Sequence, residues 1–294
     1  MTCNLSRRGL IGSTLAMGAL ARWPALADVP IARVTDMALP SGRLCRTWHY
    51  EPVGKPRGSI FFGHGAASAP WKYEALFVHW TRAGYRVLAP LHVDSSDHPD
   101  RTRFAGLASW AARIEDMRAV TAAIKDLHYI AAGHSYGAMA ALALGGATPL
   151  LPEGVPGPIA DPRAKLVLAF SPPGAMPPLI DGAGYAGLAV PALIQTGTAD
   201  VPPGSPDWTG HLLAFETAKA DGDRFALVLD GVDHYFGGAI CRPELPGPKQ
   251  LAQLDRAAAL SVQMLRGWAE GDKAAQKAMT ASVGARPGER LMRR

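Results

Sequence analysis

Cysteine is scarce in this chain, with three residues in 294, at positions 3, 45 and 241. They form no C-x-x-C pair and no Cys/His zinc spacing. Small disulfide scaffolds and the common structural zinc modules are therefore excluded. A strong excess of one charge is also missing, since 30 Lys and Arg face 25 Asp and Glu. Three of the cations (Arg7, Arg8, Arg22) stand near the N-terminus and four more (Arg286, Arg290, Arg293, Arg294) in the last eleven residues, so the body between is close to neutral. Nothing demands a basic face, and nucleic acid is not an expected partner. The apolar run Leu10–Ala21 is interrupted by Gly12 and Gly18 and is too short to span a bilayer. There is no internal repeat and no low-complexity linker. What is present is 48% hydrophobic and 19% charged residues, the balance of a soluble globular protein with a sizeable core in one domain.

The first 27 residues read as a leader rather than as part of the fold. Ser6-Arg7-Arg8-Gly9-Leu10-Ile11 is followed by the short apolar run and then by Ala25-Leu26-Ala27. A basic region, an apolar region and a small-x-small site make an export signal, and the paired arginines are similar to the twin-arginine type. Cleavage after Ala27, a periplasmic or secreted product and no stable membrane anchor are the expectation. Cys3 leaves with the leader. Cys45 and Cys241 remain in a compartment that permits disulfides, and their pairing is open, as is the oligomeric state. At the other end, residues 284–294 read as a basic, disordered tail.

Between these ends, short apolar runs alternate with amphipathic segments. Strands are expected at Leu44–His49, Gly58–Gly63, Arg86–Pro90, His128–Ala132, Lys165–Phe170, Ala192–Gln195 and Phe225–Leu229. The later ones are continuously apolar, as in a parallel sheet buried on both faces. Trp110, Ile114, Met117, Val120, Ile124 and Leu127 recur at helical spacing. Leu251 to Trp268 repeats that pattern, and Lys72–Ala83 and His211–Ala220 also read as helices. The alternation specifies an α/β, doubly wound sheet. Two Pro- and Gly-rich stretches, Gly145–Pro162 and Ser171–Pro191, have no periodicity and read as a short irregular cap.

Chemistry concentrates at Gly133-His134-Ser135-Tyr136-Gly137, set between an apolar strand and an Ala/Leu-rich helix. Strand, G-x-S-x-G and helix in that order describe a nucleophile elbow, which lifts a serine hydroxyl above the sheet. A serine needs an imidazole to take its proton and a carboxylate to orient the imidazole. Asp200 ends a strand-to-turn run, and His234 ends the next one, giving the order Ser135, Asp200, His234. Two backbone N–H groups must receive the developing oxyanion. Tyr136, after the nucleophile, supplies one, and Ala66, with Ala67 next, in the turn Gly63-His64-Gly65-Ala66-Ala67, the other, with His64 fixing that turn by hydrogen bonds. Trp71 and Tyr235 are apolar candidates for substrate contact. Asp233 is a loop residue.

Phe62-Gly63-His64-Gly65, Gly133-His134-Ser135-Tyr136-Gly137, Thr196-Gly197-Thr198-Ala199-Asp200 and Asp233-His234 together resemble the α/β-hydrolase superfamily, with Gly84-Tyr85-Arg86-Val87-Leu88-Ala89-Pro90 as a further similarity. The flavour is that of dienelactone-hydrolase-like and platelet-activating-factor-acetylhydrolase-like members. The resemblance implies an α/β-hydrolase domain over 28–283, a mostly parallel eight-stranded sheet with helices on both faces, and no metal or organic cofactor. Dienelactone hydrolases carry a cysteine nucleophile where this chain has Ser135, which favours ordinary carboxylic esters as small-molecule substrates. Hydrolysis, acyl transfer and perhydrolysis are all open to such a triad. Two alternatives stand beside it. One is a metal-dependent hydrolase using the loop that holds His92, Asp94, Asp97, His98 and Asp100. The other is a non-catalytic binding protein on a hydrolase scaffold.

Overall fold

The computed structural model describes residues 31–294 except 202–204 and 222, so the leader expected at 1–27 lies outside the described residues. In chain order the strands are β1 (Arg33–Ala38), β2 (Leu44–Tyr50), β3 (Gly58–Gly63), β4 (Tyr85–Pro90), β5 (Tyr129–His134), β6 (Ala164–Phe170), β7 (Ala192–Gly197), β8 (Arg224–Leu229), β9 (Gly284–Arg286) and β10 (Glu289–Arg293). The helices are α1 (Glu74–Arg82), α2 (Leu107–Ala123), α3 (Tyr136–Leu144), α4 (Leu213–Thr217), α5 (Leu251–Met264) and α6 (Lys273–Ala281). All the strands join one sheet in the order β1-β2-β4-β3-β5-β6-β7-β8-β10-β9. From β4 to β8 every pairing is parallel. The flanking pairs at both edges are antiparallel.

The central strands are mostly apolar because both faces are covered. On β3, Ile60 and Phe62 pack with Phe77 and Trp80 of α1 and with α5, whereas Phe61 packs with Trp110 and Met139 on the opposite face. Alternate residues of β8 divide in the same way, with Phe225, Leu227 and Leu229 on one side and Ala226 and Val228 on the other. The period of two is thus present but invisible to a polarity pattern, since neither face meets water. The two irregular stretches dock Ile159, Ile180, Tyr185 and Leu188 into the α2–α3 side of the core. Cys45 and Cys241 are both free, and they lie in different core clusters, which leaves no bridge between them.

Two sequence expectations need correction. Among the described residues the sheet has ten strands rather than eight. Three lie beyond the seven runs named from the sequence, and one of these is β1, which pairs with β2 from Leu44 to His49. The other two, β9 and β10, are built from the segment expected to be a disordered tail. That segment turns at Gly288 (φ 80°) and returns as β10 against β8. An exposed β8 edge would leave a row of unpaired backbone groups, and β10 covers it. Leu291 is 1% exposed under the hairpin, and Glu289 takes a bidentate bond from Arg256 of α5 at 2.6 and 2.7 Å. Arg286, Arg290, Arg293 and Arg294 are all exposed, which makes the segment read as polar. Replacing Leu291 by Ala is expected to cost about 2–4 kcal/mol in urea unfolding, the usual cost of emptying a buried leucine site; a loose tail would show no change.

Candidate active site

Five neighbouring parallel strands send their following loops to one rim of the sheet. The loop after β3 carries His64–Ala67, that after β5 Ser135, that after β6 Pro172, that after β7 Asp200 and that after β8 His234. The carboxyl ends of parallel strands are where open α/β sheets place their ligand sites.

Ser135 sits between β5 and α3 with φ 54° and ψ −119°, a conformation that side-chain-bearing residues rarely adopt. Its neighbours explain why the chain holds it. A Cβ on Gly133 would overlap the carbonyl of Gly137, and one on Gly137 would overlap the carbonyl of Gly63. The start of α3 therefore lies directly on β3 and β5, and only glycine fits. The serine N–H is bonded to Phe170 O at 2.8 Å, which pins the turn to β6. Ser135 is half-buried, and its Oγ has no hydrogen bond among the described residues. Tyr136 opens α3, so its N–H has no carbonyl one turn back to bond.

The carboxylate and the imidazole meet. His234 Nδ1 lies 2.7 Å from Asp200 Oδ1, and Thr196 Oγ1 donates to Asp200 Oδ2 at 3.0 Å. Donating from Nδ1 leaves the lone pair of His234 on Nε2. Asp200 is buried, but the His211 and His234 hydrogen bonds outweigh desolvation and hold its carboxyl well below the usual carboxylate range. Burial lowers the basicity of His234, and the neighbouring imidazoles lower it further while Asp200 opposes them. The adjacent Asp233 accepts from Tyr235 N and Gly237 N at 2.8 and 3.0 Å, which shapes the loop without touching the imidazole. Of the two candidates for substrate contact, Tyr235 stands edge-on to His234 with ring centroids 5.0 Å apart. Trp71 instead packs on Trp48, also at 5.0 Å.

A chain of hydrogen bonds ties the three loops together. The Gly65 N–H donates to the Tyr73 hydroxyl at 2.9 Å, Tyr73 meets His134 Nδ1 at 2.9 Å, and His134 Nε2 meets the His234 carbonyl at 2.9 Å. A carbonyl only accepts, so His134 carries its proton on Nε2 and takes the Tyr73 hydroxyl proton on Nδ1. Full burial lowers the His134 pKa to about 4, which keeps it neutral as this pattern requires.

The Ala66 turn is held by its carbonyls. Arg113 Nη1 bonds the His64 carbonyl at 2.9 Å, and Arg242 bonds those of Ala67 and Ala66 at 2.8 and 3.1 Å. His64 Nδ1 bonds the Gly65 carbonyl at 2.7 Å while its Nε2 accepts the His92 N–H at 3.0 Å. With its carbonyls engaged, the turn leaves the Ala66 N–H without an acceptor among the described residues. The next N–H, that of Ala67, is already bonded to Asp94 at 3.3 Å. Arg113 is fully buried, makes a two-pronged bond to Asp94 (2.6 and 2.9 Å) and lies 4.3 Å above the Tyr136 ring.

These bonds also decide what the His/Asp-rich loop does. Asp94 is spent on Arg113 and Ala67, and His92 is buried with Nδ1 on Asp116 at 2.9 Å. Of the side chains expected as a possible ligand set, His92 and Asp94 instead buttress the Ala66 turn, whereas Asp97 pairs with Lys72 and Asp100 with Arg103. Among the described residues the one group able to offer three close ligand atoms is Asp200, His211 and His234, all within 4.8 Å. Zinc bonds of about 2.0–2.1 Å would set tetrahedral ligand atoms about 3.3 Å apart. The observed 2.7 and 2.8 Å from Asp200 to the two imidazoles are hydrogen-bond distances. A groove of about 900 Å³ lies elsewhere, lined by Arg43, Phe104, Ala112 and Val155, and holds none of these side chains.

Four contributors were not legible as site residues. Tyr73, Arg113 and His211 lie in helical segments whose pattern marks them as core or surface, and Thr196 lies within β7. The one available signal is Arg113 on the same helix as the apolar row Trp110, Ile114 and Met117, where an unpaired cation would be costly.

Solved structures share this architecture at low identity. The native esterase 2 of the planctomycete Thermogutta terrifontis superposes with a TM-score of 0.58 at 18% identity, covering 83% of this chain and 94% of that one. The dienelactone hydrolase of Anabaena variabilis gives 0.56 at 15%, covering 82% and 99%. A puromycin-hydrolyzing peptidase of Mycobacterium tuberculosis gives 0.56 at 15%, with 85% of this chain matched to 42% of the peptidase, so the chain spans less than half the peptidase's length. No family model and no curated protein matches the sequence. The chain has the α/β-hydrolase fold.

Two outcomes are expected of the site as a folded object. Tyr73→Phe removes the acceptor of a buried N–H and the donor to His134, and should lower unfolding free energy by about 1–3 kcal/mol. His134 is neutral when folded and has an ordinary imidazole pKa when unfolded. Between those two values the unfolded chain binds more protons, so stability present above the unfolded pKa is lost as pH falls toward about 4. Urea unfolding at pH 5 against pH 7 should show a deficit on the order of 2 kcal/mol from His134 alone; a flat profile would contradict a buried neutral ring.

Proposed function

We propose that this protein is an exported serine hydrolase that cleaves carboxylic esters through an acyl-enzyme, with Ser135, His234 and Asp200 as its triad. The observation that carries this reading is the 2.7 Å bond from His234 Nδ1 to Asp200, together with a serine held at positive φ at a helix N-terminus. His134, the residue before that serine, bonds the His234 backbone and keeps the two loops adjacent. Catalytic hydrogen bonds are commonly long before substrate binds, so the open Ser135 hydroxyl is compatible with this role.

The chemistry follows from the groups. His234 Nε2 takes the proton as Ser135 Oγ attacks the ester carbonyl. The N–H groups of Tyr136 and Ala66 receive the oxyanion, each worth roughly 3–4 kcal/mol of barrier. His234 returns its proton to the leaving alcohol, then activates water to release the acid. Asp200 stays ionised and steadies the imidazolium. Tyr235, edge-on to His234, lines the substrate side. Support for an ester substrate comes from the T. terrifontis esterase 2, one structure of which is propionate-bound and another phosphorylated by paraoxon. Export rests on the Arg7-Arg8 leader, and cleavage after Ala27 would leave Asp28 as the first residue.

The test is a chain-length series of p-nitrophenyl esters with wild type and Ser135→Ala. The variant should lose at least about 10³-fold in kcat/KM while keeping its melting temperature. Paraoxon should add mass to the Ser135 peptide of the wild type alone. His234 works as a base only when neutral, and its pKa is lowered, so kcat/KM should rise with pH with a midpoint below the ordinary 6.5. Full activity of Ser135→Ala would end the triad reading.

A further inference from the structure

Asp200 carries a second imidazole. His211 lies in the short 3-10 turn Trp208–Leu212 and is 1% exposed. Its Nε2 reaches Asp200 Oδ1 at 2.8 Å, the same oxygen that holds His234 Nδ1. Its Nδ1 lies 2.6 Å from the carbonyl oxygen of Pro172, in the loop after β6. A backbone carbonyl accepts and cannot donate, and an ionised carboxylate does the same. Thr196 already donates to the other oxygen of Asp200, so the carboxylate receives three donors and offers none. Each ring nitrogen of His211 therefore faces an acceptor, and each must bring a proton.

We propose that His211 is a buried imidazolium that pairs with Asp200 and weakens the hold of that carboxylate on a proton at His234, a positioning residue that sets the pH range of the triad. The proposal deepens the esterase reading and rests on it for its kinetic part only. The rings of His211 and His234 stack with centroids 5.8 Å apart, close enough for one charge to oppose another. The other groups facing His234 are accounted for. His134, from the end of β5, stands 4.7 Å away and is neutral. Tyr235, from its own loop, presents an edge. Arg242 acts through its charge on His134. Asp200 is the one anion among them, and His211 offsets it. A neutral residue at 211 could hold the same carboxylate oxygen by a hydrogen bond, so charge and not position is what the histidine adds.

Two measurements separate these roles. In ¹⁵N-labelled wild type at pH 7, the His211 ring, assigned by its loss in His211→Gln, should show directly bonded protons on both nitrogens. A ring with one protonated nitrogen overturns the proposal. In kcat/KM profiles with a p-nitrophenyl ester, His211→Gln and His211→Asn should move the acid limb upward by roughly one pH unit, with KM little changed. An acid limb that stays in place in a folded variant overturns it too. Should the wild type cleave no ester, the triad reading fails by itself, and the nitrogen spectrum still decides the charge on His211.

Discussion

Everything at the rim of the sheet depends on one close contact, the backbone of α3 lying against β3 and β5 with no side chain between. Glycine at 63, 133 and 137 makes that approach possible. Once the helix lies there, the residue linking strand to helix has no relaxed conformation available, and Ser135 takes φ 54°. The same placement aims the unbonded N–H of Tyr136 and the helix dipole at the space above the serine. It also drives His134 into the protein, where solvent cannot satisfy its ring. The strain at Ser135 is local, on the order of 1–3 kcal/mol, and the packed strands on either side supply the rigidity that sustains it.

Burying His134 then organises the neighbouring loops. A buried ring needs partners on both nitrogens, and here they come from Tyr73 on the turn before α1 and from the His234 backbone. Tyr73 in turn accepts from Gly65, so the loop after β3 is joined to the loop after β8 through a side chain of the elbow. Arg113 does the comparable work on the other flank. Its guanidinium is desolvated, which is expensive, and the two-pronged bond to Asp94 compensates only because the geometry is good. Replacing that pair by apolar groups would keep the core but release the carbonyl of His64. The charge is thus better understood as fixing the direction of a turn than as a source of stability.

The parts legible in the sequence are those encoded locally. G-x-S-x-G between an apolar strand and a small-residue helix states its own geometry within a dozen residues. The runs ending at Asp200 and His234 read correctly as strand then loop, and the structure brings those two side chains together at 2.7 Å. Missing parts depend on contacts between distant segments. His211 follows a Pro-rich stretch and is given meaning only by Asp200 and by the carbonyl of Pro172, 39 positions away. The part played by His92 and Asp94 was hidden in the same way, since it depends on distant cations, Arg113 and, through Asp116, Arg43. The terminal hairpin was hidden for the opposite reason. Its arginines face outward, and a single buried leucine is too little to mark a strand.

Charge balance explains why so many imidazoles can share one small volume. On the proposed reading the resting site holds Asp200 and a charged His211, with His134 and His234 neutral, and sums to zero. As the serine attacks, His234 gains a proton while the oxyanion forms above Tyr136 and Ala66, and the sum is again zero. Without a cation at 211 the resting site would carry an uncompensated anion through the same step. Low-dielectric surroundings penalise net charge far more than separated charge of opposite sign. A site that stays neutral from ground state to tetrahedral intermediate lets the backbone donors act on the oxyanion alone, without first opposing a fixed field from Asp200.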